Sequence, residues 1–359
     1  EYQDDWSPEA DGEGYSLVDV NRSGTPLMEI VSRPDMRSPG AAREYLVRLR
    51  QILRYIGVSD ANMEEGNFRC DANISLRAVG AEKLGTKVEI KNMNSFRAVH
   101  DAIAFEEIRQ ARMLDAGERI IQETRGWVDE RGETVGQRTK EEANDYRYFP
   151  EPDLPPLMLS REYVATMRAK LPELPAAKRE RFLTLGLSEH EATALTEDRA
   201  RSEYFEGVLG ALGLEERRSA KVAANWVLGE VARWLNAEQK EIADFPLGAE
   251  PLAGLARLVE DGKVTPNVGK DVFEKMIANG LEASAIVEAE GLAQISGEDD
   301  LVEAVRRAIA ANAKAVSDYR AGKDSSIKFL VGQVMRETRG RANAQVVQGL
   351  IERELGENV

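Results

Sequence analysis

The sequence predicts a mixed α+β region followed by an all-helical one, with the change near residue 172. Three observations carry this prediction. Apolar and polar residues alternate over 69–77 and again over 87–91, the period-two pattern of half-buried strands. The stretch Phe149–Pro156 holds four prolines, too many for a helix or a central strand, and reads as extended surface chain or linker. Beyond Leu171-Pro172-Glu173-Leu174-Pro175, nearly all apolar residues recur at helical spacing.

Taken in order, the acidic opening to Gly14 has no helical or strand pattern, and position 1 is glutamate, which together suggest a chain that starts inside a larger domain. Ser16–Val20 and Leu27–Val31 read as short strands. Ser38 and Pro39 supply the N-cap and first-turn proline of a helix. Its apolar stripe of Ala42, Tyr45, Leu46, Leu49, Ile52, Leu53 and Ile56 runs to Gly57, and such a stripe is a core packer. A second helix is expected from about Ser95 to Gly117, with Val99, Ile103, Ile108 and Leu114 inward. His100, beside that stripe, lacks the partners of a ligand or base and reads as structural. Trp127–Val135 reads as a hairpin around an acidic turn at Gly132. In the helical half, Arg217–Leu235 forms one amphipathic helix, Thr265-Pro266 caps another, and Ser296 or Gly297 starts a further one. The final pair is Ser325–Arg339 and Asn343–Leu355, with Arg339-Gly340-Arg341 as the reversing turn.

On a strand over 69–77, Cys70, Ala72, Ile74 and Leu76 enter a core while Arg69, Asp71, Asn73, Ser75 and Arg77 line the opposite face. An ordinary solvated strand has the same alternation. The inventory of two guanidiniums around a carboxylate, an amide and a hydroxyl also suits phosphoryl chemistry, where catalysis is mostly positioning and charge compensation. If 87–91 pairs with this run across a loop containing Gly80 and Gly85, the polar faces combine. Lys91, Asn92, Asn94 and Ser95 precede a helix, whose free backbone N–H groups favour an anion.

With 359 residues, 42% hydrophobic and 31% charged, the chain has ordinary globular composition and room for two or three domains. No apolar run approaches a membrane span and no signal-peptide pattern opens the chain, so a cytoplasmic protein is expected. One cysteine, Cys70, excludes an internal disulfide framework and a thiolate cluster, and free cysteine of this pattern reads as buried and inert. His100 and His190 lie far apart, so any metal is expected on oxygen ligands, which favours magnesium. A net charge of −15 argues against nonspecific nucleic-acid binding by the whole surface. Locally, however, Lys323, Lys328, Arg336, Arg339 and Arg341 face only Asp324 and Glu337, a basic end that an RNA backbone could use.

Longer motifs then carry a family resemblance. Tyr15-Ser16-Leu17-Val18-Asp19-Val20-Asn21-Arg22-Ser23-Gly24-Thr25-Pro26-Leu27-Met28-Glu29-Ile30-Val31, Met63-Glu64-Glu65-Gly66, Arg69–Asn73, Lys91–Phe96, Asp145–Asp153 and Phe329–Met335 stand in this order. Together they resemble GatB, the B-type subunit of the tRNA-dependent amidotransferases, from about Tyr15 to the C-terminus. The resemblance implies an α+β cradle domain, incomplete at its N-terminus (1–172), an all-α helical domain (173–288) and a small YqeY-like tail that binds tRNA (289–359). It also implies a reaction. Glu-tRNA(Gln), and often Asp-tRNA(Asn), is activated by ATP as an acyl phosphate and amidated by ammonia from a partner amidase. The implied partners are the A-type amidase subunit and the small C-type subunit of a heterotrimer, and the misacylated tRNA, with no DNA and no membrane. The implied cofactors are ATP and Mg2+.

On this resemblance Glu29 is a metal ligand, the alternative being a structural partner of an arginine. Glu64, Glu65, Arg69, Asp71, Asn73, Ser75 and Arg77 are expected in the catalytic floor; for Glu64 and Glu65 a solvated acidic turn is the alternative. Lys91, Asn92, Asn94 and Ser95 are expected to bind nucleotide, and Lys323, Lys328, Arg336, Arg339 and Arg341 to bind tRNA. Asp145, Tyr146 and Arg147 are further site or interface candidates. The family's remaining metal ligands, a histidine and glutamates, belong to a portion preceding the match, so the metal site is expected to be incomplete and the fragment inactive alone. Two other readings remain open: a nonenzymatic tRNA-binding adaptor, and a ligase acting on a free small acid.

Overall fold

The computed structural model describes residues 20–21, 24–139, 155–295, 298–323 and 325–356. The expected strand over 16–20 falls almost wholly outside these residues, as do the candidates Asp145, Tyr146 and Arg147, most of the proline-rich stretch, and the helix start at 296–297. The chain divides into two units, one of residues 1–45 and 70–140, the other of 46–69 and 141–359.

The first unit holds the sheet. Helix α1 (Pro39–Tyr55) starts in it after a cap in which Ser38 Oγ accepts from the Ala41 N–H at 3.1 Å. β1 (Ala72–Ile74) pairs antiparallel with β2 (Val88–Lys91), with Asn73 opposite Glu89. The chain then forms α2 (Phe96–Asp115), capped by Ser95, before β3 (Glu123–Val128) returns parallel to β2. β4 (Glu133–Thr139) closes an antiparallel hairpin around Gly132, giving the order β1-β2-β3-β4. A strand–helix–strand crossover is the connection that parallel neighbours require. Gly85 is obligatory in the β1–β2 loop, since a Cβ there would sit 2.0 Å from the Leu76 carbonyl oxygen.

Three expectations are corrected here. Leu27–Val31 is not a strand: it has no regular structure, and Leu27 is 94% exposed, with no partner strand offering it a hydrogen-bond ladder among the described residues. The strand expected over 69–77 is only three residues long, although the alternation of exposed and half-buried side chains holds from Arg69 to Ile74 and fails at Ser75. In α2, Ile108 is 53% and Leu114 44% exposed, whereas Ala98, Val99, Ala102, Glu106 and Gln110 are buried. The inward row is set by Glu106, whose hydrogen bonds and ion pair to Arg109, Gln110, Thr134 and Arg125 hold that side of the helix against the sheet, with Ala102 and Ala98 one and two turns before it.

The second unit is helical. It includes the second half of α1, where the buried Tyr55 donates to the Thr196 carbonyl at 2.7 Å and Gln51 donates to the same oxygen. α3 (Arg161–Ala169) buries none of its residues. α4 (Pro175–Thr184), α5 (Glu189–Leu195), α6 (Arg199–Leu212) and α7 (Glu216–Trp226) follow, and α7 continues through a wider π-turn at Val227–Val231 into α8 (Ala232–Glu238). After a 3₁₀ turn come α9 (Ala249–Glu260), α10 (Pro266–Asn279) and α11 (Ala283–Ala289). These share one apolar core built on Phe182, Phe205, Leu212, Leu252, Leu255 and Phe273. A second, smaller core of Leu301, Val305, Leu330, Val334, Val347 and Ile351 joins α12 (Glu298–Ala311), α13 (Ala313–Arg320), α14 (Ser325–Glu337) and α15 (Ala344–Gly356). The described residues are thus mostly helical with one small four-stranded sheet.

Candidate active site

The sheet of the first unit has two chemically different faces. Val88 and Ile90 point to the face covered by α2 and are fully buried. Register and alternation place Asp71, Asn73, Glu89, Lys91, Thr124 and Gly126 on the other face. There the Lys91 Nζ meets Asp71 Oδ2 at 2.6 Å and lies 3.8 Å from Glu89 Oε1. Thr124 Oγ1 donates to Glu89 Oε2 at 2.7 Å. The expected pairing of the two alternating runs is therefore present, and it brings Asp71, Asn73 and Lys91 together.

Beside this row, Gly126 leaves space that side-chain amides fill. A Cβ there would stand 2.4 Å from Gln137 Nε2 and 3.2 Å from Asn92 Nδ2. Asn92 itself has φ 64°, a left-handed conformation that asparagine tolerates better than most residues. It turns the chain off the strand, and the buried Met93 anchors the link. Asn94 is exposed. Ser95 is committed to capping, its hydroxyl accepting from the Ala98 N–H at 3.0 Å.

The other expected residues are placed differently. Arg77 donates to the Glu82 carbonyl at 2.7 Å, which ties its guanidinium to the β1–β2 loop. Glu64, Glu65 and Arg69 belong to the second unit. Glu64 follows an asparagine turn in which Asn62 Oδ1 accepts its N–H at 3.1 Å, and the exposed Glu65 accepts from Asn67 Nδ2 at 3.1 Å. Glu29 is exposed in an irregular segment rather than buried in a strand. Among the described residues no three histidine, cysteine, aspartate or glutamate side chains cluster as a metal site. A cavity of about 500 Å³ lined by Ser95, Arg97, Ala98, Asp101, Trp127, Asp129 and Gly132 contains only Ser95 of the expected set, and neither Glu29 nor Asp71 lines it. Cys70 is half-buried rather than buried, and desolvation, with Asp71 adding to it, pushes its thiol up to about 11. His100 hydrogen-bonds Asp101 at 2.8 Å, a local structural contact.

Two further carboxylates matter. Glu89 lies in the polar row that the alternation over 87–91 predicts, though it was not among the candidate site residues, and Glu106 escaped the sequence reading. Glu106 is fully buried on the opposite side of the sheet. It accepts from Arg109 at 2.8 and 2.9 Å, from Gln110 at 3.1 Å and from the Thr134 hydroxyl, and it pairs with Arg125 Nε at 3.0 Å. Burial alone would raise its pKa, but the hydrogen bonds from Arg109, Thr134 and Gln110 outweigh that and hold it below the usual carboxylate value. This network fixes α2 to the β3–β4 hairpin and is structural.

At the C-terminal basic end, Lys328, Arg336 and Arg339 are exposed with no acidic partner among the described residues, while Lys323 is loosely paired with Asp318 at 3.8 Å. Glu337 is taken by Arg307 at 2.7 Å. Arg341 differs: it donates to the Gly291 carbonyl at 2.9 Å and to the Thr338 carbonyl at 3.2 Å. Thr265 donates to the Gly340 carbonyl at 2.7 Å and the Ile295 N–H to Arg341 O at 3.0 Å. The turn Arg339-Gly340-Arg341, left-handed at its first two residues, is therefore a clasp between the two helical cores, and Arg341 is half-buried in it.

Comparison with known proteins defines the class first. Residues 5–165 match the GatB/GatE catalytic domain, and residues 203–355 match the GatB domain. A protein of Dehalococcoides mccartyi strain CBDB1, named as the B-type subunit of aspartyl/glutamyl-tRNA(Asn/Gln) amidotransferase, is 52% identical over 352 residues, covering 96% of this chain and 72% of the relative. The proteins of the same name from Herpetosiphon aurantiacus and Carboxydothermus hydrogenoformans are 51% and 48% identical, over 96% and 95% of the chain and 71% and 70% of the relatives. The chain belongs to the GatB family of amidotransferase subunits. Among the described residues no helix is long and apolar enough to cross a membrane.

Proposed function

We propose that the chain is the part of an amidotransferase that activates and amidates misacylated tRNA, Glu-tRNA(Gln), Asp-tRNA(Asn) or both. The observation that carries this reading is identity near one half, continuous over a catalytic-domain match and a separate C-terminal match. In the proposed reaction a side-chain carboxylate oxygen of the aminoacyl group attacks the γ-phosphorus of ATP, and ADP leaves. Ammonia then attacks the carbonyl carbon of the acyl phosphate, and phosphate leaves as the amide forms. Both anions approach one another in the first step, so cations and hydrogen-bond donors must oppose their repulsion. The polar sheet face supports that role: the Lys91 ammonium opposes phosphate charge, and Asn73 and Asn92 offer amides; Arg69 and Arg77 are proposed catalytic residues whose guanidiniums suit phosphate oxygens. Asp71, Ser75, Asn94 and Ser95 are proposed site residues of the same unit, and Glu64 and Glu65, in the other unit, are proposed catalytic carboxylates.

Ammonia is proposed to come from an A-type amidase subunit, with a small C-type subunit completing the assembly. ATP with Mg2+ is the proposed cofactor pair. Glu29 is the proposed metal ligand and offers one carboxylate; with no cluster of donors around it among the described residues, it would share the ion with groups elsewhere in the assembly. Lys323, Lys328, Arg336 and Arg339 are proposed to meet the tRNA backbone. The domain limits 1–172, 173–288 and 289–359 and a cytoplasmic location belong to the same proposal.

The test uses the assembled amidotransferase. ATP hydrolysis is expected only when charged tRNA is present, and Glu29→Gln is expected to abolish it. Amidation at the parent rate in Glu29→Gln would remove Glu29 from the site. Charged tRNA bound by this protein while ATP turnover proceeds without it would leave a tRNA-binding adaptor.

A further inference from the structure

We propose that Glu89 and Thr124 are positioning residues that aim the Lys91 ammonium across the open face of the sheet toward phosphate. The inference rests on the nucleotide-binding role proposed above for that face.

Among the described residues Asp71 and Glu89 each place a carboxylate within 4 Å of Lys91 Nζ, and the two are not equivalent. Asp71 contacts Nζ at 2.6 Å but its side chain is 49% exposed, so water and an incoming anion compete for that bond. Glu89 stands at 3.8 Å and is 14% exposed. Its other oxygen accepts the Thr124 hydroxyl at 2.7 Å, and Thr124 is 1% exposed in the neighbouring strand. A buried threonine on β3 thus fixes the Glu89 carboxylate on β2 and leaves Oε1 turned to Lys91. The row Asn73–Glu89–Thr124 runs across three adjacent strands, so backbone pairing sets these side chains side by side.

The arrangement gives each group a distinct part. Asp71 is the exchangeable partner, released when a phosphate takes its place. Glu89 stays, holding the lysine over the sheet when Asp71 is displaced. Without this hold a lysine at the edge of an open face samples many rotamers, and each must be frozen when the ligand binds. A positioning device of this kind acts on ground-state binding of the nucleotide more than on the chemical step.

Steady-state kinetics of the assembled amidotransferase test this, with ATP varied at saturating charged tRNA and ammonia donor. Lys91→Ala is expected to raise the KM for ATP by at least about tenfold. Thr124→Val, which keeps shape and loses the hydroxyl, and Glu89→Gln are each expected to raise it about three- to tenfold with kcat changed less than about twofold. Thr124→Ser restores the hydroxyl and is expected to bring KM back toward the parent value. In the Lys91→Ala background neither change adds anything. Additive effects in that background, or a fall in kcat at unchanged KM, would overturn the positioning role while leaving the nucleotide on this face. An unchanged KM in Lys91→Ala would overturn the placement of nucleotide here, and the positioning role with it. Equal thermal unfolding of Thr124→Val and parent separates these results from loss of fold.

Discussion

The two units handle charge in opposite ways. In the helical unit the ion pairs lie around the apolar cores, such as Arg218–Glu260 at 2.9 Å and Arg306–Glu354 at 2.9 Å. In the sheet unit a glutamate and an arginine lie between α2 and the strands, and a second set of charges occupies an open face above them. The contrast teaches that the small sheet is organised by hydrogen-bonded charge as much as by apolar area, whereas the helical cores would stand without their ion pairs. Three strands of four residues or more and one helix bury few large side chains, Trp127, Val88 and Ile90 among them. A small core of this kind has little apolar burial with which to absorb a lost polar contact.

The largest expected effect breaks the comparison directly. Glu106→Ala removes the buried carboxylate shared by Arg109, Gln110, Thr134 and Arg125, leaving Arg125 only Glu123 as an ionic partner among the described residues, and should destabilise the sheet unit by about 3–5 kcal/mol, measured by hydrogen exchange of the β3 amides at increasing urea. Glu206→Ala, in the helical unit, removes a carboxylate 28% exposed that joins Lys178 and Arg181, and should cost about 1–2 kcal/mol. Equal losses would erase the distinction.

Acid sharpens it. Glu106 has a folded pKa below its unfolded value near 4.3. Its contribution is therefore complete above that pH and lost as pH falls through the folded value. The sheet unit should lose stability below about pH 4, and Glu106→Gln should flatten that limb in thermal melts collected against pH. Glu191, held down to about 2 chiefly by the Lys221 hydrogen bond and then by the Ser188 backbone, gives the helical unit an acid limb of the same sign.

Smaller effects separate clasp from binding surface. Arg341→Ala should destabilise the helical unit by about 1–2 kcal/mol, while Lys328→Ala with Arg336→Ala should change stability by less than about 0.5 kcal/mol. The latter pair should weaken tRNA binding and lower its salt slope by about 2, read from titrations at several ionic strengths. Charge reversal at Arg339 together with Arg341 would confound the two, because Arg341 holds the fold. Smallest of all, Ser95→Ala should cost about 1 kcal/mol through the cap of α2.

What the sequence disclosed follows from how local each signal is. Ser38-Pro39, Ser95, Thr265-Pro266 and Asn343 mark helix starts because a cap is read from adjacent residues. The β1–β2 and β3–β4 pairings were legible because the partners follow one another in sequence with no helix between them, joined by residues 75–87 and 129–132. The parallel pairing of β2 with β3 was not, since its partners are separated by α2 and chosen by packing. Glu106 was missed for a related reason. A lone glutamate on a helix reads as solvated, and only its phase with Ala98, Ala102 and Gln110 reveals the buried row. Arg341 was read by charge alone, and its role depends on carbonyls some 50 residues away. At the candidate site, pattern located the polar face, but the link from Thr124 to Glu89 spans 35 residues and leaves no local trace.

The crossover between β2 and β3 also sets how the sheet opens. The β1–β2 hairpin can close through its own loop, but Glu89 meets Thr124 only after the 20 residues of α2 have docked and carried β3 alongside. Amide protons of β3 facing β2 should therefore exchange with solvent in step with those of α2, as one cooperative unit. A ligand held on the polar face would slow exchange on the far side of the sheet, in a helix it never touches.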